Sequence, residues 1–285
     1  MTAINFILIW GMNNVTEEDI IKQALMEDCP GGDAASDPLF KDETTSARLI
    51  AKENGILSGL SVFKKTFQTV DPDVTVKTNK QDGDMVKKGE TAAIVNGKIL
   101  SILRGERIAL NFLQRMSGVA TLTQSFVRET KGTKASIYDT RKTTPLLRAL
   151  EKKAVRDGGG HNHRMNLSEL AMLKDNHLRS SKSIKEAVNR VRTVIGNEKK
   201  IEVEVETIAA FKEAMATTCD IIMLDNMSLV DMKTCVDLNT EKKILEASGN
   251  MTIDRISKVA ATGVDMISVG ILTHSYKALD LSLKF

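Results

Sequence analysis

Two periods of apolar residues run through the second half of the chain, and each predicts one kind of element. Residues 201–206 read IEVEVE, an alternation typical of a strand whose successive side chains face opposite ways. Residues 183–195 instead place apolar side chains at helical spacing, with Lys and Arg on the other face. The same reasoning predicts strands at 135–138, 170–173, 201–206, 221–226, 243–249 and 264–270, and helices at 183–195, 207–216, 228–238 and 252–262.

Strands that alternate with helices predict a parallel sheet or a barrel. Four polar residues at or near the predicted strand ends recur at intervals of 21, 21 and 22 residues: Glu204, Asp225, Glu246 and Ser268. Repeated strand–helix units around one axis produce such an interval, and their active sites lie at the carboxyl ends of the strands. The spacing favours a barrel, and an open doubly wound sheet is the alternative.

The first half has a different organisation. Residues 13–29 have helical spacing, and residues 105–129 read as a long helical connector. Short strands are expected between them, separated by turn-rich segments, at 46–60, 73–79 and 91–103. We therefore predict an α/β protein with two packed domains, an N-terminal α+β domain over 12–115 and a catalytic barrel over 116–272.

The composition does not indicate a function, but it argues against one class of partner. The 285 residues include 40 basic and 37 acidic side chains, a formal net charge of +3. Nucleic-acid-binding domains usually carry a larger or more segregated basic excess, so we expect no nucleic acid partner. Any preference for anions must then come from the local placement of Arg and Lys.

Cysteine usage and the N-terminus indicate a cytoplasmic protein without a membrane span. Cys29, Cys219 and Cys235 are too widely spaced for a disulfide framework or a zinc motif, so we expect free thiols. The apolar residues 6–10 are too few to cross a bilayer and have no basic leader. We interpret the first residues as a disordered extension or an upstream start, with Met12 opening the folded part.

Cationic residues concentrate between residues 138 and 177, which include DTRKTTP, RDGGGHNHR and LKDNH. Arg141 and Lys142 follow one predicted strand, and Lys174 follows the next. Cations that meet where the loops of a barrel converge suit a polyanionic ligand. Zinc at the histidines is an alternative that lacks a third ligand at metal spacing. The three glycines lack the spacing of a phosphate loop, and a flexible turn explains them equally well.

The later strand ends carry different groups. Glu204 and Asp225 supply carboxylates, which beside phosphates usually bind Mg²⁺ or ribose hydroxyls. EASG at 246–249 and SVG at 268–270 place small residues where backbone N–H groups can face a phosphate. Cations, acids and glycine turns on successive strands together predict a site for anionic, phosphorylated reactants.

These motifs, in this order, resemble the type II phosphoribosyltransferases, and most closely the quinolinate phosphoribosyltransferases (nicotinate-nucleotide pyrophosphorylases, carboxylating). ENGILSGL, DGDMVKKGE and GERIALNFLQRMSGVAT in the first half resemble the same family, so the resemblance covers roughly residues 20–283. It implies an incomplete, TIM-like α/β barrel, a hammerhead-like N-terminal domain, and a C-terminal tail, about 273–285, that returns to that domain. It also implies synthesis of nicotinate mononucleotide, pyrophosphate and CO₂ from quinolinate and phosphoribosyl pyrophosphate, with Mg²⁺.

The resemblance also implies a role for each matching residue, with Lys142, Glu204 and Asp225 as the catalytic set. Glu204 and Asp225 would hold the ribose hydroxyls and Mg²⁺, and Lys142 and Lys174 would face the pyrophosphate. The family's dimers complete each site from the partner subunit, here with Arg107; a hexamer built from three dimers is the larger alternative. The expected quinolinate and anion contacts are Arg141, His163, Arg164 and Lys174. The expected 5-phosphate contacts are Ser248, Gly249 and Gly270, and Thr140, Asn250 and His274 complete the substrate-binding set.

Two residues depart from the family pattern, which usually has glycine at both positions. Leu146 follows the proline of RKTTP and puts the local turn in doubt, whereas Asn250 follows EASG and tolerates left-handed backbone better than most residues.

Three other functions remain open at this stage. A relative that uses nicotinate or a molybdenum-associated substrate would release no CO₂. A biotinyl-like carrier would need a modifiable lysine at the hairpin tip that DGDMVKKGE resembles, and no such motif stands there. An aldolase or isomerase barrel would need a Schiff-base lysine or an isolated general base.

Overall fold

A computed structural model describes residues 15–285. The interpretation of the first residues, up to Met12, therefore lies outside the described residues. Among the described helices, none combines the length and the apolar character that a membrane crossing requires.

The N-terminal region is built on an antiparallel four-stranded sheet. Its elements are α1 (Glu17–Asp28), α2 (Ser36–Leu39), β1 (Thr44–Ala51), β2 (Gly55–Ile56), α3 (Leu60–Val70), β3 (Thr75–Thr78), β4 (Met85–Val86) and β5 (Thr91–Lys98). Strand order in the sheet is β12-β1-β5-β3, so the last strand of the chain, β12 (Leu281–Lys284), lies on one edge. The chain thus returns to its first sheet, as the resemblance implied.

A 31-residue helix, α4 (Ile99–Glu129), leads to six parallel strands and their helices. The strands are β6 (Ser136–Tyr138), β7 (Ala171–Leu173), β8 (Ile201–Val205), β9 (Ile221–Asp225), β10 (Ile244–Ser248) and β11 (Met266–Ser268). The helices are α5 (Arg148–Asp157), α6 (Asp175–Leu178), α7 (Ile184–Ile195), α8 (Ile208–Met215), α9 (Leu229–Leu238), α10 (Ile253–Ala261) and α11 (Ile271–His274).

The strand order β6-β11-β10-β9-β8-β7 decides between a barrel and an open sheet. Each strand from β7 to β10 pairs with the next strand in the chain, and the last strand, β11, pairs with the first, β6. An open doubly wound sheet does not join its first and last strands in this way. The expected incomplete barrel is therefore confirmed. Its gap lies between β6 and β7, where His161 forms an isolated bridge with Tyr138.

Helix α4 packs on both regions and links their cores. Ile102 and Leu113 belong to the hydrophobic cluster of the N-terminal sheet, whereas Met116 and Phe126 belong to the cluster of the barrel. The expected boundary near residue 115 therefore falls inside one continuous helix.

Two predictions about the first half are wrong in detail, and one helix was missed. The strand expected at 91–103 ends at Lys98, because Ile99 already begins α4. The strand expected at 46–60 is broken after Ala51 by a turn and resumes only as the two residues of β2. Helix α3 was not predicted at all, although its buried residues follow helical spacing.

Candidate active site

A cavity of about 660 Å³ opens at the carboxyl ends of the barrel strands. All of the predicted site residues except one contribute to its wall. These residues are Thr140, Arg141, Lys142, His163, Arg164, Lys174, Glu204, Asp225, Ser248, Gly249, Asn250, Gly270 and His274. The exception, Arg107, lies on α4 with an exposed side chain and does not line the cavity.

Lys142 is held at the mouth of the cavity by its backbone. Its N–H donates to the Thr140 hydroxyl (3.1 Å), and its carbonyl accepts from the hydroxyl of Thr273 (2.8 Å). Its aliphatic stem runs over Gly270, where a Cβ atom would lie only 3.2 Å from the Lys142 Cδ. A glycine at position 270 therefore leaves room for this lysine.

The acidic residues lie at the ends of neighbouring strands. Glu204, at 11% side-chain exposure, accepts a charge-assisted hydrogen bond from the Lys174 Nζ at 2.6 Å. Asp225 ends the adjacent strand and accepts from the Asn226 amide at 2.8 Å. Both carboxylates thus face the cavity with at least one oxygen already bonded to the protein.

The turn after β10 has the backbone that a phosphate site needs. Gly249 has φ +90°, and an added Cβ would clash with Asn226. Asn250 also adopts the left-handed region, with φ +48°, and its amide donates to the Asn226 side chain at 3.1 Å. Thr252 is the residue before the first turn of α10 and its side chain makes no cap hydrogen bond, so the first N–H groups of this helix lie beside the turn without that partner. Asparagine at position 250 therefore adopts the left-handed backbone that glycine, the residue expected there from the resemblance, also favours.

Leu146, which replaces the glycine expected from the resemblance, has a left-handed backbone with φ +66°. Its side chain is 67% exposed and does not line the cavity. Leucine thus occupies a backbone conformation that favours glycine.

Behind the cationic loops lies a buried network that the sequence did not reveal. Lys152 of α5 pairs with Asp139, the residue after β6, and donates to the carbonyl of His163 at 2.9 Å. Asp139 also accepts from the His163 N–H (2.8 Å) and the Asn162 amide (2.6 Å). Burial raises the pKa of Asp139 and lowers that of Lys152, although their pairing opposes both shifts. The network ties the end of β6 to the loop that carries His163 and Arg164.

A second buried group lies inside the barrel. Glu202 and Glu246 are fully buried, and their Oε2 atoms lie 3.1 and 3.2 Å from the His163 Nε2. Neither contact has the alignment of a full hydrogen bond, and within residues 15–285 the four carboxylate oxygens have no other partner. Burial and the nearby Glu246 carboxylate raise the pKa of Glu202 to about 7. Burial opposes a charge on the ring, but the two carboxylates outweigh it and raise the pKa of His163 to about 10.

These three side chains also lie close enough together to hold a metal ion, within 4.8 Å of one another. The Arg164 backbone N–H, however, donates to the His163 Nδ1 at 2.7 Å. This bond needs a lone pair on Nδ1, so it belongs to the neutral ring with its proton on Nε2. A charged ring would keep the Nε2 proton but lose the bond at Nδ1. The His163 Nε2–H is therefore a donor placed between two carboxylate acceptors, and the three side chains are not arranged as metal ligands.

Sequence reasoning missed Glu202 and Glu246 although a signal was present. Side chains two residues apart on a strand face the same way, so Glu202 had to share the barrel interior with Glu204. Glu246 was noticed only through the spacing of the repeats. Lys152 gave no such signal, because the charged sequence EKK at 151–153 is typical of an exposed helix face.

Comparison with known proteins agrees with this geometry. A family model described as the C-terminal domain of quinolinate phosphoribosyl transferase matches residues 119–284, and the N-terminal domain model of the same family matches residues 32–117.

Relatives match over most of the chain. A probable nicotinate-nucleotide pyrophosphorylase [carboxylating] of Bacillus subtilis is 41% identical, over 95% of this chain and 94% of its own. A quinolinate phosphoribosyltransferase [decarboxylating] of Nicotiana tabacum is 40% identical, over 93% and 81%. The crystal structure of NadC from Streptococcus pyogenes superimposes with a TM-score of 0.92 at 42% identity, covering 94% and 95%.

Proposed function

The chain belongs to the quinolinate phosphoribosyltransferase family, and we propose that its barrel cavity joins quinolinate to the ribose of phosphoribosyl pyrophosphate. The products are nicotinate mononucleotide, pyrophosphate and CO₂, as in the de novo synthesis of NAD. The observation that carries this proposal is one cavity in which cations of three loops face carboxylates and a glycine turn of the following strands.

The reaction needs charge stabilisation more than a nucleophilic side chain. The pyridine nitrogen attacks C1 of the ribose while the C1–oxygen bond to pyrophosphate breaks, so positive charge grows on the ribose and negative charge on the leaving group. The bond from C2 of the ring to its carboxylate then breaks, CO₂ leaves, and a proton replaces it. Carboxylates beside the ribose stabilise the first charge, and lysines at the mouth stabilise the second. Glu204, Asp225 and Lys142 are the residues for these roles.

The two carboxylates of quinolinate call for several cations on one side of the cavity. Arg141, Arg164 and Lys174 line it from three different loops. Burial lowers the pKa of Arg164, and the nearby guanidinium of Arg141 lowers it further, because both disfavour its positive charge. A dianion between them would relieve this repulsion. Nicotinate, with one carboxylate, would relieve it less.

The opposite side suits the 5-phosphate and a magnesium ion. Backbone N–H groups of Gly249 and Asn250 and the start of α10 offer donors to the phosphate. Glu204 and Asp225 fit Mg²⁺, which prefers oxygen ligands and takes most of them from phosphates and water. When bound there, the ion would neutralise charge on the pyrophosphate.

We further propose that the protein works as a cytoplasmic homodimer, with a hexamer of three dimers as the larger form. Arg107 is an exposed cation on α4 outside the cavity of its own subunit, which suits a contribution to the partner's cavity. Cys29, Cys219 and Cys235 are free, in keeping with a reducing compartment.

The decisive experiment is incubation of the purified protein with quinolinate and phosphoribosyl pyrophosphate, with and without Mg²⁺. We expect nicotinate mononucleotide and CO₂ in equal amounts, and little product once the metal is chelated. Nicotinate in place of quinolinate tests the alternative substrate. Turnover of nicotinate with none of quinolinate would refute the assignment.

Replacing Lys142 or Glu204 by alanine tests the catalytic roles. Each variant should fold normally and lose at least about a hundredfold in kcat, the effect of removing one group that stabilises a transition-state charge. Lys212→Ala, at an exposed site on α8, is the matched control and should keep full activity. Wild-type turnover by either site variant would remove that residue from the mechanism.

A further inference from the structure

His163 does not offer a free nitrogen to the cavity, and this changes how it can act. Its Nδ1 accepts from the backbone N–H of Arg164, and its Nε2 lies between Glu202 and Glu246. Only 6% of the side chain is exposed. Both ring nitrogens thus face groups of the protein itself, and the ring is a link between the barrel interior and the backbone of Arg164.

The two carboxylates come from strands that do not border the barrel gap. Glu202 lies on β8 and Glu246 on β10, whereas His163 lies on the loop between β6 and β7. The backbone of this loop is attached to the sheet by the His161 bridge with Tyr138 and, at His163, by the bonds with Asp139 and Lys152. Glu202 of β8 and Glu246 of β10 act on the His163 ring instead, and this ring accepts the backbone N–H of Arg164.

Arg164 itself is held on its other side. Its guanidinium donates to the carbonyl of Leu170 at 3.0 Å, just before β7. The residue lines the catalytic cavity and also a smaller cavity of about 430 Å³ behind the loop. A small rotation of the loop would therefore turn the guanidinium from one cavity towards the other.

Two like charges buried side by side are unfavourable for folding. Each carboxylate loses its water on burial, and the contacts with His163 are poorly aligned. Such an arrangement persists in a fold when it serves the site rather than the stability of the chain.

We propose that Glu202 and Glu246 are positioning residues that act through His163 to hold the Arg164 guanidinium towards the pyridine dicarboxylate. This inference rests on the proposed function, because it assigns Arg164 to quinolinate. The proposed role affects the binding of quinolinate and not that of phosphoribosyl pyrophosphate. The 5-phosphate turn and Lys142 are positioned by other contacts, so phosphoribosyl pyrophosphate should bind normally without the two glutamates.

The test is Glu246→Gln, which keeps the volume of the side chain and one acceptor oxygen but removes a charge. We expect the KM for quinolinate to rise about tenfold, as when one hydrogen bond to a charged group is weakened. The KM for phosphoribosyl pyrophosphate should change less than about twofold, and kcat should fall less than the quinolinate affinity. Glu202→Gln should have the same effect on both KM values, and it replaces Glu246→Gln as the test if that variant does not fold.

Stability separates positioning from a structural role. Because one buried like charge is gone, each variant should unfold at the wild-type temperature or up to about 4 °C above it. Ser282→Ala is the matched control. It removes another buried side-chain oxygen that lacks a partner within residues 15–285, but far from the cavity, and should change neither KM.

A double-mutant cycle tests the route through Arg164. In an Arg164→Ala background, Glu246→Gln should have no further effect on the quinolinate KM. Additive effects, or equal losses for both substrates together with lower stability, would overturn the inference. Failure of the wild-type protein to form nicotinate mononucleotide would instead refute the proposed function.

Discussion

Leu146 shows what a single residue in a left-handed conformation can cost the stability of the fold. With φ +66°, its Cβ crowds the neighbouring carbonyl, a cost of about 1–2 kcal/mol for a residue other than glycine. Its exposed side chain recovers little of this by burial. We expect Leu146→Gly to raise the free energy of unfolding by about 0.5–1 kcal/mol, after the extra freedom of glycine in the unfolded chain is subtracted.

Urea denaturation of this variant and of Leu146→Ala measures the difference. Alanine keeps the Cβ and hence the strain, so its stability should not rise. Equal stabilisation by both substitutions would mean that the leucine side chain, and not its backbone conformation, is responsible.

For single residues, the sequence predicted the charged side chains that lie at strand ends and line the cavity. It did not predict the buried charged residues that support them. Arg141, Lys174 and Glu204 follow or end strands, and loops of parallel strands meet at one edge of a barrel, so their convergence could be predicted. Lys152 is a charged residue on a helix, where the sequence gives no sign of burial, and Glu246 was noticed only through the spacing of the repeats. Their surroundings are set by helices and strands that are distant in the chain.

Among the elements, helix α5 does more than cover the barrel, because it carries Lys152 into the interior. Lys152 and Asp139 are almost completely buried, so neither charge can be left alone. We expect Lys152→Met to cost about 3 kcal/mol of stability, because Asp139 then stays buried without its cation. Thermal or urea unfolding measures this loss.

Replacing both charges is the control for this pair. Asp139→Asn combined with Lys152→Met removes the isolated charge and should recover part of the stability lost in the single variant. A double variant whose loss equals the sum of the two single losses would show that the residues do not depend on each other.

The predicted helices and strands are accurate where the spacing of apolar residues stays constant along the element. They fail where that spacing changes from the strand period to the helix period. From β8 to α10 the pattern located each strand and helix to within about two residues, the usual uncertainty of such boundaries. At Lys98 a strand passes directly into α4 without a turn residue, so the apolar run gave no sign of the change. Helix α3 has phenylalanine, valine and threonine, which favour strands, and tertiary packing decides for the helix.

For the molecule as a whole, the C-terminal segment returns to the N-terminal sheet and forms its edge strand. Leu281 and Leu283 of β12 are buried in the hydrophobic cluster of that sheet, and the Gln114 amide on α4 donates to the carbonyl of Leu281 at 2.7 Å. Only the family resemblance implied this return, since nothing in the local pattern of the tail indicates its partner strand. We expect Leu283→Ala to destabilise the protein by about 2–4 kcal/mol.

Phe285→Ala is the comparison for this prediction, because Phe285 is two residues further on and 57% exposed. Its unfolding midpoint in urea should stay close to that of the wild type. A similar loss for both variants would mean that the tail is stabilised in some other way than by burial in the sheet.

The largest-scale prediction concerns Arg107 and the proposed dimer. If Arg107 serves the partner's cavity, the two variants Arg107→Ala and Lys142→Ala damage the same site from different chains. In a mixed dimer, the Arg107→Ala chain has an intact barrel and receives Arg107 from its partner, so one of the two sites is whole. Random mixing makes half of the dimers mixed, so an equal mixture of the inactive variants should recover about a quarter of wild-type activity. The mixture is assayed for nicotinate mononucleotide after subunit exchange, with each variant alone as the control. If Arg107 instead acted within its own chain, every site would keep one defect and the mixture would stay inactive.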